Sequence, residues 1–117
     1  MSDSILIVED EFLIALDMED ALRMRGFDVV GPAATLADGM ALAEADGVSA
    51  ALLDVNLMDG TSRPIAEALR ERAIPFAYVT GYGRLPLDED FPEAPVISKP
   101  AGKDALDSVL AQLLADA

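Results

Sequence analysis

Short apolar segments alternate along the chain with longer segments in which apolar residues recur at helical spacing. The apolar segments are residues 4–8, 27–31, 48–54, 76–80 and 96–98. Near-continuous runs of this length, such as ILIV, are typical of strands that are buried on both faces of a sheet. The longer segments, at residues 11–25, 35–46, 62–72 and 103–117, have the period of helices. The pattern therefore predicts strands and helices in alternation.

Several predicted helix ends carry recognisable signals. Gly26 suits the left-handed position that follows the end of the first helix. Thr35, with Asp38 three residues later, forms an approximate capping box at the start of the second helix. Pro64 is tolerated in the first turn of the third. A further helix between the last two strands is weakly supported, because residues 84–95 contain three prolines and four acidic residues. We expect at most one or two helical turns there.

Strands that alternate with helices predict an α/β fold, with a parallel sheet covered on both faces and right-handed crossovers. Five such units suit a flavodoxin-like (βα)5 three-layer sandwich with the strand order 2-1-3-4-5. In that topology a ligand binds at the carboxyl ends of the strands, near the switch between the first and third. We expect the 117 residues to form one domain, residues 1–117, with no output domain.

Charge and composition remove several classes of function. Twenty-two acidic and eight basic residues give a net charge of −14, which repels a phosphate backbone, so direct nucleic-acid binding is not expected. No apolar stretch approaches the ~20 residues of a membrane span, and no basic leader precedes the first apolar run, so we expect a cytoplasmic protein. The chain contains no cysteine and no histidine. Thiol chemistry, an imidazole base and an internal phosphohistidine are therefore excluded.

Polar side chains gather where the predicted strands end. In chain order they are Glu9, Asp10, Glu11, Asp54, Thr80, Ser98 and Lys99, and Pro100 follows the last of them. Each has an ordinary explanation when taken alone: a carboxylate that offsets a helix dipole, a turn former, a strand hydroxyl or a surface charge. None of these explains why acids should gather on the strands that flank one crevice, with a lysine and a hydroxyl opposite. Their convergence indicates a functional site.

Carboxylates held close together are difficult to keep ionised without a cation. Mg²⁺ prefers oxygen ligands and often combines one or two carboxylates with phosphate oxygens, so the cluster indicates phosphoryl chemistry. Because the chain has neither histidine nor cysteine, the expected nucleophile is a carboxylate. Asp54 is the natural choice, since it alone ends the central strand. Lys99 and Thr80 would then neutralise and hydrogen-bond the phosphoryl oxygens.

These residues resemble the receiver domain of two-component response regulators, and the similarity covers essentially the whole chain. ILIVEDE resembles the family's acidic pair, LLDVNL its phospho-acceptor motif, YVTG its switch threonine, and SKP its lysine followed by proline. The resemblance implies that Asp54 is the phosphorylated residue. It implies that Asp54, Glu9, Asp10 and the main-chain carbonyl of Asn56 bind Mg²⁺.

The resemblance also assigns roles to residues on the last two strands. It implies that Thr80 is the switch residue, that Lys99 contacts the phosphoryl group, and that the Lys99–Pro100 peptide bond is cis, which is accessible to proline. Receivers of the common chemotaxis type carry an aromatic switch three residues before the lysine, where this chain has Val96. The stretches VTGYG and DVNLMDGTS instead resemble an atypical subgroup, common in alphaproteobacteria, with a Phe-Ala-Thr-Gly-type motif. Tyr82 then either reports phosphorylation or merely covers the loop.

The function implied is that of a stand-alone response regulator. Its Asp54 would accept a phosphoryl group from the phosphohistidine of a sensor histidine kinase or a histidine phosphotransfer protein. The domain would catalyse its own phosphorylation and dephosphorylation without turning over an external substrate, and it would signal through a downstream protein target. The first helix, which begins with Phe12 and Leu13, is more apolar than one buried stripe requires. The excess predicts either a docking face for the donor or deeper burial in the core.

Three alternatives compete with this prediction. A pseudo-receiver that binds partners without phosphorylation would have no use for a complete set of site residues. A nucleotide-binding enzyme is suggested by GYGRLP, but Pro86 stands where the third glycine of a dinucleotide fingerprint belongs. A small phosphatase with an aspartyl nucleophile would need a second aspartate at the position of Asn56.

Overall fold

The computed structural model describes residues 3–81, 91–99 and 102–115. Strands and helices alternate over these residues. In chain order the elements are β1 (Ser4–Val8), α1 (Phe12–Met24), β2 (Asp28–Ala33), α2 (Leu36–Ala43), β3 (Ala50–Asp54), β4 (Asn56–Leu57), β5 (Gly60–Thr61), α3 (Arg63–Glu71), β6 (Phe76–Thr80), β7 (Val96–Ser98) and α4 (Lys103–Ala115).

Five strands form one sheet in the order β2-β1-β3-β6-β7, and every neighbouring pair is parallel. With β6 and β7 as the fourth and fifth strands, this is the predicted order 2-1-3-4-5, and the flavodoxin-like fold class is confirmed. β4 and β5 form a separate antiparallel hairpin directly after β3. The carboxyl ends of β1, β3, β6 and β7 consequently lie along one edge of the sheet.

The sheet is covered by helices on both faces, because its strands are apolar at successive positions. Ile5 and Ile7 face a cluster that includes residues of α1 and α4, whereas Leu6 and Val8 face a cluster that includes residues of α2 and α3. The last helix buries one apolar stripe in the first of these clusters, formed by Leu106, Val109, Leu110 and Leu113. No helix among the described residues has the length and hydrophobicity to cross a membrane.

The helix ends follow most of the sequence signals. Gly26 has a φ of +86° directly after the residue that caps α1. The hydroxyl of Thr35 accepts a hydrogen bond of 3.1 Å from the backbone N–H of Asp38, so the predicted cap is present. α2 ends at Ala43, three residues earlier than predicted. After α3 the left-handed position is occupied by Ala73, with a φ of 58°, rather than by a glycine.

The second strand is longer than predicted, because it continues past residue 31 to Ala33. Its pairing with β1 shifts register between Leu6 and Val8, and Gly31 lies at the shift with a φ of +95°. A Cβ at Gly31 would lie 2.8 Å from the nitrogen of Ala33 and 2.9 Å from the oxygen of Ile7. Only glycine therefore fits this bulge.

The prediction for residues 84–95 is tested in part. Residues 82–90 lie outside the described residues, and residues 91–95 contain no helix. The hairpin β4–β5 was not predicted, although its Asp59-Gly60 dipeptide is a turn signal. The third strand begins at Ala50 rather than at residue 48.

Candidate functional site

Side chains from four strand ends line one cavity at the carboxyl edge of the sheet. The cavity has a volume of about 280 Å³ and is lined by Asp10, Glu11, Asp54, Asn56, Thr80, Gly81 and Lys99. We call it the acidic cavity. Six of these residues lie at the ends of β1, β3, β6 and β7 or within three residues after them, and Asn56 begins the hairpin after β3. The predicted convergence of strand-end residues is therefore present in the fold.

Three carboxylates form the acidic part of the site. Glu9, Asp10 and Asp54 each offer one carboxylate oxygen, and these oxygens lie within 4.8 Å of one another. Glu9 and Asp54 are buried, and Asp10 is half-buried. Such a set of hard oxygen donors fits a divalent cation, with solvent completing the coordination. The three carboxylates expected to bind Mg²⁺ are thus close enough together to share one ion.

The backbone of β2 fixes Glu9. The N–H of Glu9 donates a hydrogen bond of 2.9 Å to the carbonyl of Ala33, beyond the bulge at Gly31. Its carboxylate turns back and accepts a hydrogen bond of 3.0 Å from the N–H of Glu11, which caps α1. The bulge in β2 therefore helps to place an acidic residue of the site.

Lys99 connects the two buried carboxylates. Its Nζ lies 2.8 Å from Oε1 of Glu9 and 3.3 Å from Oδ1 of Asp54. Its backbone N–H donates a hydrogen bond of 2.9 Å to the carbonyl of Thr80, which fixes the start of the side chain. Burial lowers the pKa of the Lys99 ammonium, but the hydrogen bond and charge of Glu9, together with Asp54, outweigh burial and raise it. The lysine remains cationic at neutral pH.

Among the carboxyl groups of the acidic cavity, Asp54 has a strongly raised pKa. Burial, followed by the charge of Glu9, raises its pKa to about 7, although Lys99 acts in the opposite direction. A nearby cation favours the ionised form of a carboxyl group. Occupation of the acidic cluster by a divalent ion would therefore favour the ionised carboxylate of Asp54.

Thr80 lies beside this group because of the register of the sheet. Asp54 pairs with Val79 on β6, and Thr80 pairs with Ser98 on β7. Thr80 is therefore one residue beyond Asp54 toward the carboxyl edge, and it is 2% exposed. Ser98 is exposed and does not line the acidic cavity.

Two predicted site features lie outside the described residues, namely Tyr82 and the peptide bond to Pro100. Val96, at the position where receivers of the common chemotaxis type carry a switch aromatic, is 38% exposed at the start of β7. The aromatic residue that the structure places near Val96 is its pairing partner Tyr78. The sequence did not indicate this position for Tyr78, because it reads there as one more residue of a buried strand.

Tyr78 is completely buried, and it links β6 to residues 91–95, the segment that precedes β7. Its hydroxyl donates a hydrogen bond of 2.7 Å to the carbonyl of Pro92. Its ring makes edge-to-face contacts with Phe76 and Phe91, with centroids 5.6 Å and 5.9 Å apart. Burial raises the pKa of Tyr78 to about 12, so the phenol stays a hydrogen-bond donor at physiological pH.

Known proteins share both this sequence and this fold. The phyllosphere-induced regulator PhyR of Methylorubrum extorquens is 33% identical over 97% of this chain and 44% of PhyR. The solution structure of SdrG from Sphingomonas melonis Fr1 is 45% identical, with a TM-score of 0.84 over 97% of both chains. The PhyR response regulator REC domain of Erythrobacter litoralis is 30% identical, with a TM-score of 0.85 over 97% of this chain and 91% of that one. This chain belongs to the response regulator receiver domains.

Membership places the receiver domain in two-component signal transduction, as the sequence predicted. No protein-family model matches the chain, so the assignment depends on these individual relatives. The receiver domain spans 42–45% of the length of the curated relatives it matches. A second solution structure of SdrG, in its BeF3-activated conformation, superposes with a TM-score of 0.80.

Proposed function

We propose that this receiver domain accepts a phosphoryl group onto Asp54 from the phosphohistidine of a sensor histidine kinase or a histidine phosphotransfer protein. The observation that supports this most directly is the position of the Asp54 carboxylate. It lies within 4.8 Å of carboxylate oxygens of Glu9 and Asp10, and its Oδ1 is 3.3 Å from the Nζ of Lys99. A phosphoryl group on Asp54 would be flanked by a cation-binding cluster and a fixed positive charge.

In the proposed reaction an oxygen of Asp54 attacks the phosphorus atom. A P–O bond forms to the aspartate as the P–N bond to the donor's imidazole breaks, and the imidazole leaves with the electron pair. Lys99 balances negative charge on the phosphoryl oxygens, and the hydroxyl of Thr80 is placed to donate a hydrogen bond to one of them. No external substrate is turned over in this reaction.

The proposal includes a bound Mg²⁺. Glu9, Asp10, Asp54 and the main-chain carbonyl of Asn56 are the residues that would hold it. When bound, the ion supplies positive charge that offsets the carboxylates and the phosphoryl oxygens. The cluster of three carboxylates within 4.8 Å supports this part of the proposal.

The response to phosphorylation is proposed to begin at Thr80. Movement of its side chain toward the phosphoryl group would shift the residues that follow β6, including Tyr82, and change the surface recognised by a downstream protein. Residues 1–117 would act as one receiver unit in the cytoplasm. SdrG, at 45% identity, has been described in a BeF3-activated conformation, which supports a two-state receiver of this kind.

The first helix supplies a face for the phosphodonor. Phe12 and Leu13 are 76% and 71% exposed, and Leu16 is 39% exposed. The excess apolar residues at the start of α1 are thus on the surface, although Met18 is buried as a core residue. A groove of about 210 Å³ beside them also includes Glu9 and Asp10. We call Phe12, Leu13 and Leu16 the docking face. Because the docking face adjoins the acidic cluster, we propose that it receives the helix that carries the donor's phosphohistidine.

Two substitutions on α1 test the docking face. Leu13→Glu places a charge in the face, whereas Met24→Glu places the same charge on a residue that is 74% exposed at the other end of the helix. We expect Leu13→Glu to slow phosphotransfer from a kinase or phosphotransfer protein that labels the wild type, by about tenfold or more. Labelling by a small acyl phosphate should not change. Equal transfer to both variants would contradict the docking proposal.

The switching proposal is tested by amide NMR spectra recorded with Mg²⁺ and beryllofluoride. We expect changes at Thr80, Gly81 and Lys99 in the wild type and none in Asp54→Asn, which lacks the carboxylate needed to bind the analogue. Spectra that do not change in the wild type would contradict phosphorylation-dependent switching. They would favour a pseudo-receiver that acts as a protein-interaction module without phosphorylation.

A further inference from the structure

The hairpin β4–β5 forms one wall of the acidic cavity, and little holds it together internally. Its pairing consists of Asn56 with Thr61 and Leu57 with Gly60. Strands of two residues are far too short to be stable alone, since even longer isolated hairpins are marginal in water. The position of Asn56, which lines the cavity, must therefore depend on contacts between the hairpin and the rest of the domain.

Two contacts hold the hairpin at its start and at its tip, in addition to the hydrogen bond of 2.9 Å from the N–H of Ser62 to the carbonyl of Val55 that closes its base. Leu57 is 7% exposed and packs in the core cluster on the α2 and α3 side of the sheet. Asp59, in the turn, reaches the neighbouring helix, where its Oδ1 accepts a hydrogen bond of 2.7 Å from the backbone N–H of Leu36. The first contact holds the start of the hairpin, and the second holds its tip.

The backbone N–H of Leu36 is a suitable anchor for the side chain of Asp59. Leu36 is the first residue of α2, so its N–H has no acceptor within the helix, and a carboxylate at that end also interacts favourably with the helix dipole. α2 is itself fixed closely to the domain. A Cβ at Gly39 would lie 2.5 Å from Cδ1 of Ile65 on α3, which shows how closely the two helices approach. Asp59 therefore ties the hairpin to a fixed point.

We propose that Asp59 is a positioning residue, which holds the hairpin against α2 and thereby keeps the main-chain carbonyl of Asn56 at the acidic cluster. This inference rests on the proposed function, in which that carbonyl is a ligand of Mg²⁺. Without the anchor, the hairpin spends part of its time with the carbonyl away from Glu9, Asp10 and Asp54. The apparent affinity for the ion then falls by the fraction of molecules that keep the hairpin in place.

The test is a calorimetric titration of Mg²⁺ into the whole chain, with matched variants. Asp59→Ala removes the acceptor and should weaken binding by about three- to tenfold, the range expected for one ordinary, solvent-exposed hydrogen bond that sets the fraction of molecules whose hairpin is in place. Asp59→Asn keeps an oxygen acceptor and should lose less. Asp38→Ala is the control, because Asp38 is an exposed acid in the same first turn of α2, but its side chain makes no hydrogen bond to the hairpin among the described residues.

A second variant removes the other partner of the hydrogen bond. Leu36→Pro deletes the donor N–H, and proline is accepted at the first position of a helix. The extended backbone of Thr35, with φ −124° and ψ 160°, suits a residue that precedes proline. If the bond acts as proposed, Asp59→Ala should weaken Mg²⁺ binding much less in the Leu36→Pro background than in the wild type. Additive losses would contradict the coupling.

The outcomes separate the two proposals. A wild-type chain that binds no Mg²⁺ contradicts the proposed function. Wild-type binding that Asp59→Ala leaves unchanged overturns the role of Asp59 alone, and so does an equal loss in Asp38→Ala, which would indicate a general effect of charge. A lower melting temperature of Asp59→Ala with an unchanged Mg²⁺ affinity would show that Asp59 only stabilises the fold, and would also overturn the inference.

Discussion

Lys99 reaches across β6 to Asp54, so that its Nζ lies 3.3 Å from Oδ1 of a carboxylate two strands away. The same Nζ lies 2.8 Å from Oε1 of Glu9. One positive charge thus serves two buried carboxylates in a chain whose net charge is −14. The consequences of this arrangement can be measured for both reactivity and stability.

Removal of the lysine should slow phosphorylation. Lys99→Ala deletes the positive charge next to Asp54, and we expect the rate of labelling by a small acyl phosphate to fall about tenfold or more, since fixed charges at a reacting centre commonly have effects of this size. Lys103→Ala, at an exposed lysine at the start of α4, is the control and should react like the wild type. Time courses of intact mass measure both rates. Equal rates for wild type and Lys99→Ala would contradict the role of Lys99.

The raised pKa of Asp54 predicts how stability depends on pH without Mg²⁺. Its value of about 7, against an ordinary 3.8, means that the folded state holds this proton more tightly than the unfolded chain does. The free energy of unfolding should therefore fall as pH rises from about 4 to about 7. Asp54→Asn removes the titration, so its stability relative to the wild type should increase over that window, by the order of 2 kcal/mol.

Urea unfolding at several pH values, in the presence of a chelator, measures this difference. Asp38→Asn, which removes an exposed carboxylate outside the acidic cavity, is the control for the loss of one acidic side chain. Addition of Mg²⁺ should reduce the advantage of Asp54→Asn, because a bound cation stabilises the ionised carboxylate. A difference between Asp54→Asn and wild type that is constant with pH would contradict the raised pKa.

Two glycines with similar φ angles should differ in how much stability is lost when each is replaced by alanine. Gly31→Ala places a Cβ 2.8 Å and 2.9 Å from backbone atoms at φ +95°, whereas Gly26 has a φ of +86° and nothing within 4 Å of the new atom. We expect Gly26→Ala to cost about 1 kcal/mol for the left-handed backbone alone, and Gly31→Ala to cost about 3 kcal/mol or more. Chemical denaturation of both variants provides the comparison. Similar losses would show that the bulge adjusts easily.

The buried hydroxyl of Tyr78 should contribute to stability. Tyr78→Phe keeps the ring contacts with Phe76 and Phe91 but leaves the buried carbonyl of Pro92 without this donor. We expect a loss of about 1–3 kcal/mol in the free energy of unfolding. A Tyr82→Phe variant leaves Tyr78 as the one remaining tyrosine of two, and its absorbance titration should give an apparent pKa of about 12. Ionisation near the ordinary value of 10.0 would contradict its burial.

Periodicity was sufficient to predict the central architecture. The bounds of β1, β6 and β7 agree with the sequence, because strands buried on both faces appear as uninterrupted apolar runs. The end of β2 was missed, because the bulge at Gly31 depends on the pairing of β2 with β1. At the bulge Gly31 approaches Ile7, which lies 24 residues earlier in the sequence. The hairpin β4–β5 was missed because two-residue strands leave almost no periodic pattern.

The site was predictable as a set of residues but not as a set of contacts. Strand order and strand ends together placed Asp10, Asp54, Thr80 and Lys99 at one cavity. Sequence could not indicate that Lys99 contacts Glu9 as well as Asp54, because side-chain geometry depends on the packed fold. For the same reason the bonds from Tyr78 to Pro92 and from Asp59 to Leu36 were not foreseen. The roles of Tyr82 and Pro100 stay predictions.

The phospho-acceptor role of Asp54 is tested most directly by the intact mass of the protein after incubation with Mg²⁺ and a small acyl phosphate. Asp54→Ala is the matched variant, and a chelator replaces Mg²⁺ in a parallel sample. We predict one adduct of roughly 80 Da on the wild type with Mg²⁺, and none on Asp54→Ala or in chelator, as expected for an aspartyl phosphate. An adduct that persists in Asp54→Ala, or its absence from the wild type, would contradict the proposed function.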